Sequence, residues 1–290
     1  MRARRRRATT SLRSSCATTA SEHVTTMQAR TTIRLKNRLA ELERVAGALA
    51  EFARQQRLAT KVAFDLGLAV DEVLTNVMRY AYDGEAEREI TVHVGRDGAA
   101  VTVEIADDGR PFDPRTIGAA DVSSPLADRA VGGLGMHLVR ALMDDVEYRR
   151  EHGKNVLRMT KTLAPTSPPA EPTRTDLEIT DTRIDGVTVL AIAGRLHGRN
   201  ADALEARLVA APDAGATRLV LDLAALDYVS SAGLRVVLVA AKRLHGSGAL
   251  ALAAPKDFIR AVLDVAGVAA VVTIHPDRAA AIAHARGAPQ

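Results

Sequence analysis

Glu72 and Asn76 stand four residues apart in the run LGLAVDEVLTNVMRYAY, which is otherwise composed like a buried helix. On a helix that spacing is one turn, so a carboxylate and a carboxamide share a face. Alone, the pair reads equally well as two polar residues on a solvated flank. Two later segments change the weighting. DDGRPF at 107–112 follows directly on a strand pattern, and GGLG at 132–135 directly precedes a helix pattern. A glycine-rich turn at a helix start presents free backbone N–H groups and a positive dipole end, where phosphates bind. Asp107, at the strand end, carries an acceptor-only carboxylate that can hold an exocyclic amine such as that of adenine. Each glycine cluster is weak evidence by itself, because most are ordinary turns. The ordered set Glu-x3-Asn, Asp-x-Gly, Gly-x-Gly is far more specific. A further candidate is Ser231, two residues before Gly233 at a strand-to-helix junction. Its ordinary reading is an N-cap. A serine there is also well placed to accept phosphate, since the helix N-terminus stabilises a new charge of about −2.

The elements that carry these residues fall into two units. In the first, about 29–163, Leu39, Leu42, Val45, Leu49 and Phe52 recur at helical spacing, and a second helix presents Val62, Leu66, Ala69, Val70, Val73, Leu74, Val77 and Met78 on one face. Two strand patterns follow, EITVHVG and AVTVEIAD, then a long loop, the helix MHLVRALMD, and the strands VEYRRE and NVLRMTKTL. This order predicts an α+β two-layer sandwich, with helices on one face of an antiparallel or mixed sheet. Residues 164–175, APTSPPAEPTRT, contain four prolines and no large apolar residue, and read as an extended linker. The second unit, about 176–288, alternates strand and helix patterns from VTVLAIAG to RAAAIAHA, which predicts an α/β domain with a mostly parallel sheet.

Composition narrows the function classes. The chain has 290 residues and 47% hydrophobic content, enough for about two domains with separate cores. No apolar run approaches the roughly 20 residues of a membrane span. The net charge is +4, but residues 1–30 hold seven Arg and one Glu, so the rest of the chain carries −2. The basicity belongs to an N-terminal arm, residues 1–28, read as disordered, or as an over-long start preceding Met27; its composition also fits a transit peptide. The folded part is therefore not read as a nucleic-acid binder. The single cysteine, Cys16, excludes an internal disulfide framework and a cysteine metal site, and suits a reducing cytoplasm.

The first unit resembles the GHKL (Bergerat-fold) ATP-binding domain, in its compact anti-sigma-factor serine-kinase branch. DEVLTNVMRYAY matches the N-box, DDGRPFDP the first glycine box and GGLGMHLVRALMDDVEY the second, over about residues 31–162. The resemblance implies ATP and Mg²⁺. Asn76 would ligate the metal that bridges the phosphates, and Glu72 would be the general base toward an acceptor hydroxyl. Asp107 would hold the adenine amino group and Gly109 give backbone room. Gly133 and Gly135 would border the phosphates, with Arg129 reaching the γ-phosphate. Mg²⁺ is a hard ion that accepts a carboxamide oxygen and keeps several waters, and phosphoryl transfer needs chiefly positioning and charge neutralisation. Asn155 falls where this family often has Gly-Thr near the adenine.

The second unit resembles the STAS domain of anti-sigma-factor antagonists, on AIAGRLHGRNADALEARL and LVLDLAALDYVSSAGLRVVL. Ser231 takes the position of the serine that the partner kinase phosphorylates. Ser230 stands where that family has Asp, Ala232 replaces the second hydroxyl residue, and His197 falls where the first loop usually carries Asp. Together the resemblances imply a bacterial partner-switching regulator, an ATP·Mg-dependent Ser/Thr protein kinase of anti-sigma type fused to its antagonist-type substrate. Implied partners are a sigma factor or a STAS antagonist protein, a metal-dependent Ser/Thr phosphatase, and a second copy of the chain as a homodimer. The rival reading is a nucleotide-dependent binding scaffold without kinase turnover.

Overall fold

The computed structural model describes residues 29–84, 86–113, 134–163, 177–213 and 216–287. The first unit is a five-stranded antiparallel sheet covered on one face by three helices. The strands are β1 (Ala29–Lys36), β2 (Glu89–Asp97), β3 (Ala100–Asp107), β4 (Asp145–Glu151) and β5 (Lys154–Thr162), in the order β1-β2-β3-β5-β4. In β3 every second residue is buried, so Val101, Val103 and Ile105 face the helices. The helices are α1 (Glu41–Gln55), α2 (Thr60–Tyr80) and α3 (Leu134–Leu142). The register that matters for the site is Asp107 opposite Asn155, at the end of the β3–β5 ladder.

The second unit has the sheet order β10-β9-β8-β7-β6. Its strands are β6 (Glu178–Ile184), β7 (Val187–Leu196), β8 (Arg218–Val229), β9 (Ala249–Ala253) and β10 (Thr273–His275). β7 to β10 pair in parallel, and β6 pairs antiparallel with β7. The helices α4 (Ala201–Asp213), α5 (Ser231–Leu244) and α6 (Asp257–Val265) make the crossovers, and α7 (Arg278–Gly287) follows the last strand. Residue 231 thus opens a helix directly after the central strand β8.

Two edge strands are additions to the sequence reading. β1 precedes the helices with which the first unit was expected to open. Only Ile33 and Leu35 are buried along it, too few for a strong alternation. β6, with no buried residue, is similarly faint. The expected strand AVVTI reduces to a short pairing that begins at Thr273. The helix expected after GGLG begins inside that segment, at Leu134, which puts Gly135 in its first turn. No helix among the described residues is long and apolar enough to cross a membrane.

α2 has two apolar stripes. Leu66, Ala69, Val70, Val73 and Leu74 pack into the first unit's core. Phe64 and Leu68, with Leu138 and Leu142 of α3, instead join the core cluster of the second unit. Phe64 lies edge-on to Tyr228 with ring centroids 5.7 Å apart, and 5.0 Å from Phe258. His137 Nε2 sits 3.1 Å from the carbonyl oxygen of Val265. Continuing the Phe64–Leu68 stripe by one turn reaches Asp71 and Glu72, which therefore face the second unit.

Candidate active site

Asp107 and Asn76 line one cleft, walled by Val73, Val77, Met136 and Leu157. Asp107 is buried, and its Oδ1 accepts hydrogen bonds from the backbone N–H of Gly109 at 2.8 Å and from Asn155 Nδ2 at 2.9 Å. Asn155 is itself fixed. Its Oδ1 accepts from the Tyr148 hydroxyl at 2.9 Å and from Arg150 at 2.6 Å, and its Nδ2 also donates to the Arg110 carbonyl at 2.9 Å. Burial pushes the Asp107 carboxyl up, and the bonds from Asn155 and Gly109 oppose that. Gly109 is required by close approach, since a Cβ there would lie 2.6 Å from Ala81 Cβ and 2.7 Å from its carbonyl oxygen. Asp107 Oδ2 and the Asn76 carboxamide form no hydrogen bond among the described residues.

One turn before Asn76, Glu72 is only 4% exposed. Its Oε1 accepts the backbone N–H of Ser231 at 2.7 Å, and its Oε2 accepts the Ser231 hydroxyl at 2.5 Å. A carboxylate of the first unit thus closes the N-terminus of α5, where the helix dipole favours negative charge. Even so, burial raises its pKa from the ordinary 4.5 to about 7. The Ser231 hydroxyl pulls it down, Asp71 pushes it up, and the Ser231 N–H and Arg79 pull it down. Gly135 completes the corner. Any Cβ there would collide with Glu72 Oε2 and sit 3.6 Å from the Ser231 hydroxyl oxygen. A carboxylate in hydrogen-bond contact with a hydroxyl, with a pKa near neutrality, has the geometry of a general base.

The matches to known proteins divide at the same place as the two sheets. Residues 35–161 match the model of the histidine kinase-like ATPase domain, and residues 178–281 that of the STAS domain. The serine-protein kinase RsbW of Listeria monocytogenes is 35% identical over 118 residues, covering 39% of this chain and 74% of RsbW. BtrV of Bordetella bronchiseptica, named as an anti-sigma factor antagonist, is 42% identical over 108 residues, covering 37% of this chain and 93% of BtrV. An anti-sigma factor antagonist from Mycobacterium paratuberculosis superposes on 38% of this chain and 95% of its own, at 22% identity and a TM-score of 0.37.

The chain belongs to the RsbW and STAS families.

It joins an RsbW-type unit to an antagonist-type STAS unit, the two halves of a partner-switching regulator. Of the residues singled out from the sequence, Glu72, Gly135 and Ser231 meet at the junction of the RsbW-type and STAS units, while Asn76, Asp107 and Gly109 gather at the cleft in the RsbW-type unit. Arg129 and Gly133 lie outside the described residues. Glu72 is not on a solvated flank, because the second apolar stripe of α2 carries it into the contact with the STAS unit. Ser231 is not the N-cap of its helix. Ser230 holds that position without a side-chain cap bond, and the Ser231 hydroxyl turns outward to Glu72. Sequence reasoning missed Asn155 as the partner of Asp107, a contact that only the β3–β5 register reveals. It also missed Asp71 and Tyr228, which face each other across the junction. The mere adjacency of Asp71 to Glu72 in sequence was the one available signal.

Proposed function

We propose that the RsbW-type unit is a Ser/Thr protein kinase that binds ATP·Mg and phosphorylates the STAS unit on Ser231. The observation that carries this reading is the 2.5 Å hydrogen bond from the Ser231 hydroxyl to Glu72 Oε2. No group of three His, Cys, Asp or Glu side chains among the described residues could hold a metal, so Asn76 would share Mg²⁺ with phosphate oxygens and water. Its carboxamide, which forms no hydrogen bond among the described residues and lies on the wall of the same cleft as Asp107, fits that role. Bound ATP, with its metal, supplies the phosphoryl group and its charge neutralisation. Asp107, held by Gly109 and Asn155, keeps an oxygen directed at an exocyclic amine. Gly135 leaves the corner beside Glu72 free of a side chain; phosphate contacts for Gly133 and Arg129, which lie outside the described residues, are part of the same proposal. Glu72 would take the Ser231 proton as the hydroxyl oxygen bonds to the γ-phosphorus of ATP and the bond from that phosphorus to the β–γ bridging oxygen breaks, with ADP as the leaving group.

The same reading extends to partners. The RsbW-type unit holds a sigma factor or a STAS antagonist protein, phosphorylation decides which, and a metal-dependent Ser/Thr phosphatase reverses the mark. The protein acts in the cytoplasm and pairs as a homodimer. A second reading, a nucleotide-dependent scaffold without turnover, draws on the fact that both Glu72 oxygens are used in docking, so the residue has a binding role without any transfer. Incubating the full-length chain with ATP and Mg²⁺ separates the two. The kinase reading expects one added phosphate by intact mass, located on Ser231 by peptide mass spectrometry and lost in Ser231→Ala. Tight ATP binding with no phosphate on Ser230 or Ser231 leaves the scaffold.

A further inference from the structure

We propose that Arg195 and Arg199 of the STAS unit decide which serine-bearing domain the RsbW-type unit accepts, by matching Asp71, which adjoins Glu72 in the chain, and Glu43 at the start of α1. The proposal deepens the kinase reading, since it rests on Ser231 being the residue docked at Glu72.

The geometry sets two charge contacts around the docked serine. Arg199, in the turn after β7, donates to Glu43 Oε2 at 2.8 Å and to the Ala40 carbonyl at 3.2 Å, both at the start of α1. Arg195, near the end of β7, lays its guanidinium carbon 4.0 Å above the centre of the Tyr228 ring. Between them Asp71 faces the Tyr228 hydroxyl and both arginines.

Asp71 is the discriminating element because it directly precedes Glu72. Any domain that presents a serine to Glu72 must also cover Asp71. Covering an ionised carboxylate is costly unless a cation is supplied, and the neutral Tyr228 hydroxyl beside Asp71 carries no charge to neutralise it. Burial already lifts the Asp71 carboxyl from its ordinary 3.8 to about 6, against the pull of Tyr228, Arg195 and Arg199. A serine domain without a cation at the Arg195 position would meet the full desolvation cost, which is rejection built into the site. The outer pair adds direction rather than strength. Arg199 and Glu43 keep 32% and 64% of their side-chain surface in water, and such a pair contributes little by itself. A partner with an acid in place of Arg199 would set like charges against each other, which is penalised far more. The STAS unit carries His197 and Ser230 at the two places noted above for acids in its family. Its cations take over the face that meets the acids of α1 and α2.

The test uses the full-length chain, cut after purification at a protease site introduced within residues 164–175. Affinity between the two halves is measured without ATP, and Ser231 phosphorylation is measured separately. Arg199→Glu and Arg195→Gln should each weaken association about tenfold or more. Adding Glu43→Arg to the first, and Asp71→Asn to the second, should recover most of the loss. Unchanged affinity in both single variants overturns the proposal, as do two double variants no better than the singles, or wild-type halves that do not associate. Circular dichroism of each variant separates misfolding from lost docking, and rescue by the second substitution does so independently. Association that follows the charges while Ser231 stays unphosphorylated would sink the kinase reading and leave this proposal standing.

Discussion

Asp107 and Glu72 are both buried carboxylates, but they are held differently. Asp107 takes its hydrogen bonds from Gly109 and Asn155, within the same unit. Glu72 takes its hydrogen bonds from Ser231, 159 residues away in the other unit. In the kinase reading proposed above, the nucleotide side of the site is built by one fold alone, whereas the catalytic side is complete only when a serine domain is docked. That reading makes ATP binding and choice of acceptor separable, so that each can be broken without the other.

The largest effect is expected on the docked side. Glu72→Gln keeps size and one hydrogen-bond acceptor but removes the base. Phosphoryl transfer to Ser231 should fall about 10²–10⁴-fold with near-normal ATP affinity, read by rapid-quench incorporation and calorimetry. An unchanged rate would reduce Glu72 to a docking residue.

The prebuilt side should respond in affinity instead. Asp107→Ala should weaken ATP binding roughly 10–100-fold with or without metal, the scale of losing a hydrogen bond to a charged group. Asn76→Ala should weaken it only when Mg²⁺ is present. Calorimetry with and without chelator checks both, and wild-type affinity in both variants would remove the cleft as the nucleotide site.

A smaller effect follows from pH. In the docked chain burial holds Glu72 at about 7 against an ordinary 4.5 and Asp71 at about 6 against an ordinary 3.8, and the share of that burial contributed by the STAS unit is lost on undocking. A carboxyl whose pKa is higher docked than free takes up a proton on docking. Association of the cut halves should therefore be strongest at low pH, weaken as pH rises between about 4 and 7, and level off above. Transfer should move the opposite way, rising through about pH 7 as Glu72 ionises. Glu72→Gln should flatten the upper part of the association curve. A pH-independent affinity would mean that Glu72 is no less solvated docked than free.

The smallest effect belongs to Ser230→Ala. The Ser230 hydroxyl is buried and without a partner, so its loss should cost less than the roughly 1 kcal/mol of a working N-cap and leave Ser231 phosphorylation intact. Disappearance of the phosphate in this variant would shift the acceptor by one residue.

The same division explains what could be read from sequence. Asp107 and Gly135 could be placed from local pattern because one ends β3 and the other lies in the first turn of α3, whereas Glu72 and Asn76 stand mid-helix in α2 and were paired by their one-turn spacing. Helices and central strands showed through their periodicity, while β1 and β6 hid because an edge strand with few buried residues has little alternation. Asn155 was visible as a departure, but its hydrogen bond to Asp107 depends on sheet register, a property of two distant segments. The contacts of Asp71 and Glu72 with Tyr228 and Ser231 depend on how one unit meets another. A charged residue on a second apolar stripe looks, in one dimension, like a residue on a wet face.

The second stripe of α2 has one more consequence. Phe64, Leu68, Leu138 and Leu142 find their cover in a domain tethered to their own chain, and nothing in that contact distinguishes one copy's STAS unit from another's. When a pair of chains opens together, each can close on its neighbour with the same contacts, giving an exchanged dimer at little cost. Which form prevails is then a matter of protein concentration against the local concentration imposed by the tether. On the proposed kinase reading, a crowded population would phosphorylate between chains and a dilute one within them, using a single interface.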